Sequence, residues 1–152
     1  MLVEADPSGG DLAAWFGLER APTLSSIITR LGDGSWPEIQ RHTTLAGCGL
    51  RLIPAPAGAA EAHQAVSQSS ASLVQTLAEL SSAVAIVDAG ASQPPSRPNP
   101  FVTSATATVV VHRQWPHAAD AAAVRLHRLA DQVETAQAYS SGTVREHPIP
   151  SN

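Results

Sequence analysis

Five consecutive apolar residues, Ala83-Val84-Ala85-Ile86-Val87, run directly into Asp88. A run this short suits a strand, and apolar character without alternation predicts a strand covered on both faces, as in a parallel sheet. Parallel neighbours cannot be joined by a tight turn. They need crossover connections, usually helices, so the rest of the chain has to alternate strands with helices.

The remaining pattern meets that demand. Leu2-Val3-Glu4-Ala5 reads as a strand entering a turn-rich loop, Asp6 to Asp11. Leu12 to Leu18 is a short helix. A second helix runs from Leu24 to Leu31, with Thr23 as its cap and Gly32 as its stop. Pro37 opens another helical turn. Leu50 to Ile53 is a strand, ended by Pro54-Ala55-Pro56. Ala59 to Leu80 reads as one helix with Ala62, Val66, Leu73, Leu77 and Leu80 on its apolar side. A Pro-rich loop, Gln93 to Pro100, precedes a β-branched strand, Ala107 to Val111. A long helix from Pro116 to Ala138 follows, with Ala122, Leu126, Leu129, Val133 and Ala136 as its stripe. Thr143 to Ile149 holds one last short strand. The expected fold class is therefore α/β, a doubly wound, mostly parallel sheet in a single domain over residues 1–150.

Composition narrows the function classes. The chain has 152 residues, 43% of them hydrophobic but only 4% aromatic, so its core is built from Ala, Val, Leu and Ile. Trp15, Phe16 and Trp36 are expected as core or loop anchors, with a partner surface as the alternative. The net charge of −4 gives no general attraction to nucleic acid. All nine basic residues are arginines, and lysine is absent from the sequence. The single cysteine, Cys48, excludes an intramolecular disulfide framework and a Cys-rich zinc site. It is expected as a small buried apolar residue. The six histidines are scattered without ligand spacing. No apolar run is long enough to span a bilayer, and the start lacks the pattern of a signal peptide. A cytoplasmic location is expected.

Two carboxylates stand at carboxyl ends of predicted strands: Asp6 after Leu2 to Ala5, and Asp88 after Ala83 to Val87. In open α/β sheets that edge is where ligands bind. A carboxylate there can hold magnesium, directly or through water, or orient an attacking water. It can equally do no more than end a strand or cap the next helix. The two roles call for different surroundings. A shared site of this kind needs Asp6 and Asp88 side by side at one edge of the sheet, with an empty place for a central strand.

The wording around these acids resembles one family. Leu2-Val3-Glu4-Ala5-Asp6-Pro7-Ser8-Gly9-Gly10 is similar to the second conserved segment of MinD/ParA-type ATPases, where a strand delivers an acid, a spacer, an Asp, a Pro and a Gly-containing turn. Val84 to Gly90 resembles the family's Walker B strand and the turn after it. Gly49 to Pro56 and Ala105 to Arg113 resemble two further family strands, and the likeness covers most of residues 1–138. The resemblance implies a P-loop NTPase-type fold, with ATP and magnesium as the family's ligands, which this chain is expected not to bind tightly. By the same likeness Asp6 would position the hydrolytic water, Asp88 would reach magnesium through water, and the backbone N–H of Gly90 would sense the γ-phosphate. Glu4 stands where the family often has another acid.

The sequence also departs from that family. The first strand and its Gly-rich, lysine-containing phosphate loop are not among these 152 residues, so the expected fold is incomplete at the N-terminus. Without a nest of backbone N–H groups and a lysine for the phosphates, this chain is expected not to hydrolyse ATP by itself. The family's basic amphipathic membrane-targeting tail is absent from Val144 to Asn152 as well. Two readings follow. One is a member of the bacterial class that positions chromosomes, plasmids, division sites, pili or flagella, inactive as this chain. The other is a non-catalytic binding module that self-associates, or pairs with an active paralogous ATPase or a cargo protein. An unrelated hydrolase using Asp6 and Asp88 is a third, weaker option.

Overall fold

The computed structural model describes residues 1–31, 35–69, 71–80, 83–91, 99–111, 123, 124, 126–128, 130 and 131. The chain forms two compact units, Met1–Ala107 and Thr108–Asn152.

The first unit is α/β. Its elements are β1 (Leu2–Glu4), α1 (Leu12–Trp15), α2 (Leu24–Leu31), α3 (Trp36–Arg41), β2 (Thr44–Leu45), β3 (Arg51–Ile53), α4 (Ala59–Gln68), α5 (Ala71–Ala78), β4 (Ile86–Asp88) and α6 (Pro100–Thr103). The four strands make one sheet in the order β2-β3-β1-β4. β1 lies at its centre and runs parallel to both β3 and β4, while β2 pairs antiparallel with β3. The sheet is thus mixed but mostly parallel. β2 has no counterpart among the expected strands. Its two residues are joined to β3 through Gly47-Cys48-Gly49, and Ala46 N–H donates to Leu50 C=O at 2.8 Å.

Register sorts the side chains. Val3 is level with Ile53 on one side and with Val87 on the other. Because successive residues of a strand face opposite ways, these three share a face. Val3 and Ile53 are fully buried there, in one cluster with Leu24, Ile27, Ile39, Ala65, Val66, Leu73, Val74, Leu77 and Phe101. Each fully buried Val, Leu or Ile is worth about 1.5–3 kcal/mol over its exposed state, so this face supplies most of the unit's cohesion. Helix α2 is fixed to the sheet by Leu24 N–H donating to Pro54 C=O at 2.8 Å, and to α4 by Ser25 Oγ donating to Glu61 Oε1 at 2.8 Å.

The other face carries Leu2, Leu52 and Ile86 in register. Leu52 is fully buried, but Ile86 is 61% exposed and Val84 74%. The apolar run 83–87 therefore does not form a strand covered on both faces. β4 is the last strand in the order, with β1 as its partner among the described residues. An apolar run reports hydrophobicity, not position in the sheet, and among the described residues this one sits at an edge.

Several helices end where local chemistry ends them. α1 stops at Trp15 because Gly17 adopts a φ of +63°. Gly17 N–H then donates to Ala14 C=O at 3.1 Å and Leu18 N–H to Ala13 C=O at 2.8 Å, the paired bonds of a Schellman cap. The helix expected over Ala59 to Leu80 is two helices. Ser69 Oγ donates back to Ala65 C=O at 3.0 Å, a bond that competes with helix propagation, and Ser69 leaves helical geometry at ψ 116°. The apolar side is as expected nonetheless: Ala62, Val66, Leu73 and Leu77 are buried and Leu80 packs against the core.

Three further expectations differ from the structure. Ala107 to Val111 forms no strand; Val109 and Val111 are 84% and 91% exposed and Val110 is half-buried, so most of the β-branched side chains that favour a strand lie open. Cys48 is exposed, because its turn holds it off the sheet. Trp15 is 79% exposed, its Nε1 donating to Asp11 Oδ2 at 3.2 Å. In the second unit, residues 123, 124, 126–128, 130 and 131 are helical, within the span expected for the long helix, with Leu126 48% exposed. Gly32, most of the Pro-rich loop, His112, Arg113, Trp115, Pro116, His117, Ala122, Arg125, Leu129, Val133, Ala136 and the strand expected over 143–149 lie outside the described residues.

The two faces make opposite predictions for matched substitutions. Ile53→Ala should cost about 2–5 kcal/mol by loss of core packing, whereas Ile86→Ala should stay within roughly 0.5 kcal/mol. Urea denaturation followed by circular dichroism checks this. Equal losses at both positions would show that β4 is not at an edge.

Candidate functional site

Because β1, β3 and β4 run parallel, their carboxyl ends share one edge of the sheet. Asp6 lies just beyond β1 and Asp88 is the last residue of β4. Glu4 is level with Asp88 in the ladder, and Ala5 N–H donates to Asp88 C=O at 2.7 Å. The two acids are therefore on adjacent, directly paired strands, and the expected empty place for a central strand does not lie between them.

Gly90 closes the arrangement. Its φ is +69°, and a Cβ built on it would overlap the carboxyl group of Asp6. The Asp6 carboxyl thus lies against the Gly90 backbone, while Gly90 N–H donates to Asp88 Oδ1 at 2.9 Å. Asp6, Asp88 and Gly90, chosen from the sequence as site residues, are brought together. The N–H of Gly90 is given to a carboxylate in this structure.

The Asp6 side chain is held by its own turn. Asp6 Oδ1 accepts from Ser8 N–H at 2.8 Å and from Ser8 Oγ, an Asx turn of the kind Asp favours. Gly9 N–H donates to Asp6 C=O at 3.2 Å, and Gly10 N–H donates to Pro56 C=O at 3.1 Å. The loop after β1 is therefore pinned to the loop after β3. Gly9 is needed there, since its φ is +104° and a Cβ would stand 2.8 Å from the Ala57 carbonyl oxygen.

Glu4 organises this edge from beneath. It is 2% exposed. Its Oε1 accepts from Asp11 N–H at 2.8 Å and Leu12 N–H at 2.9 Å, and its Oε2 accepts from Ala55 N–H at 2.9 Å. Asp11 and Leu12 open α1, so the carboxylate satisfies N–H groups that a helix start leaves without intrahelical partners. Gly10 has no side chain for the same reason: a Cβ there would run into the Glu4 carboxyl and come within 2.8 Å of the Ala55 Cβ. Sequence reasoning assigned Glu4 no structural task. The readable signal was an acid inside an apolar strand followed six residues later by a glycine.

Two exposed or half-exposed carboxylates at one strand edge can attract a cation, and a divalent ion held partly through water is the hard oxygen-ligated species they suit. Among the described residues no group of three or more His, Cys, Asp or Glu is gathered as a metal-binding cluster, so Asp6 and Asp88 would have to be completed by water or by ligand oxygens. No helix among the described residues is long and apolar enough to cross a membrane. No protein-family model matches the chain, and no curated protein matches it.

Removing the Glu4 carboxylate should leave three backbone N–H groups without their acceptor, that of Ala55 buried and those of Asp11 and Leu12 part-buried. Glu4→Ala is expected to cost on the order of 3–5 kcal/mol, with faster amide hydrogen exchange at Asp11, Leu12 and Ala55. An unchanged exchange rate at all three would refute the clamp. Gly90→Ala should cost about 1–3 kcal/mol through backbone strain and swing Asp6 away. Thermal unfolding of the variant, with the Asp6 amide signal followed by NMR, measures both effects.

Proposed function

We propose that this chain carries the carboxylate half of a nucleotide site of MinD/ParA type, in a protein of the class that positions chromosomes, plasmids, division sites, pili or flagella. The observation supporting the reading is the meeting of Asp6 and Asp88 at Gly90, on the shared carboxyl edge of two neighbouring parallel strands. That edge is where open α/β sheets bind ligands. In this reading Asp88 and Asp6 hold magnesium partly through water, and the ion would neutralise phosphate charge. The fit stops at the phosphates. The sequence has no lysine, and Gly90 N–H is already given to Asp88. These residues by themselves make no phosphate cradle, so no hydrolytic step is assigned to them.

The lack of lysine also favours a second reading, a non-catalytic module whose phosphate-binding counterpart belongs to another polypeptide, such as an active paralogue, with which it pairs. In both readings the strand-end acids meet a magnesium–nucleotide complex. They differ in whether a partner completes the site.

The test is an NMR titration of the isotopically labelled chain with magnesium and ATP. Shifts centred on Asp6, Asp88 and Gly90 are expected, weakened about tenfold or more in an Asp6→Asn/Asp88→Asn double variant, a loss of about 1.4 kcal/mol. Identical titrations for the two proteins would sink the site. ATP turnover by the isolated chain should stay at background; genuine turnover abolished by Asp88→Asn would overturn the half-site reading and leave a complete enzyme in its place.

A further inference from the structure

We draw no further inference here: the strongest candidate, the apolar patch of Ile86 on the sheet face at β4 and Val84 just before that strand, carries nothing because nothing in the structure shows what covers it.

Discussion

The organisation of the first unit depends on the buried carboxylate of Glu4. An acid taken out of water is costly unless its oxygens are given strong partners. Glu4 receives three backbone N–H bonds, two from the start of α1 and one from the exit of β3. The bonds work in both directions. They stabilise the acid, and they tie the loop after β1 to the exit of β3. Because charge-assisted bonds are shorter and stronger than neutral ones, this corner of the sheet is fixed by polar geometry, whereas its opposite face is fixed by apolar packing.

That division explains why the strand-end acids can remain accessible. Val3, Ile53 and Val87 face the helices, and the cohesion of the unit resides there. The edge above them is left to short turns whose shape is set by glycine. Gly9 and Gly90 take backbone angles that side chains disfavour, and Gly10 and Gly90 make room for carboxyl groups. The Asp6 turn bonds to itself and to the next loop, so its position does not require burial. An acid held this way keeps one side open to solvent or ligand.

Much of this was readable from residue order. An Asp after a strand-like run, twice over, was enough to expect Asp6 and Asp88 together, because parallel strands place all their carboxyl ends at one edge. α2 was legible from its Thr23 cap, whose Oγ1 accepts from Ser26 N–H at 3.5 Å, and the buried side of α4 and α5 from their apolar spacing. What the sequence concealed was set by context. Whether an apolar strand is central or peripheral depends on what lies beside it, so Ile86 could not be told apart from Ile53. A serine inside a helix-compatible stretch, Ser69, broke the helix because its hydroxyl found the Ala65 carbonyl. Thr-Val-Val-Val at 108–111 has high strand propensity, yet it has no ladder partner among the described residues, and propensity alone makes no strand. Glu4 was legible as an acid and not as a clamp, since its task is defined by donors from Asp11, Leu12 and Ala55.

The exposed turn between β2 and β3 has a practical use. Cys48 is the chain's one thiol, it stands in the open between two glycines, and it precedes β3, which puts it at the opposite end of that strand from the loops around Asp6 and Asp88. A maleimide fluorophore or spin label would therefore attach at one defined point with no engineered residue, leaving the acidic corner chemically untouched while reporting on the tumbling and association of the native polypeptide.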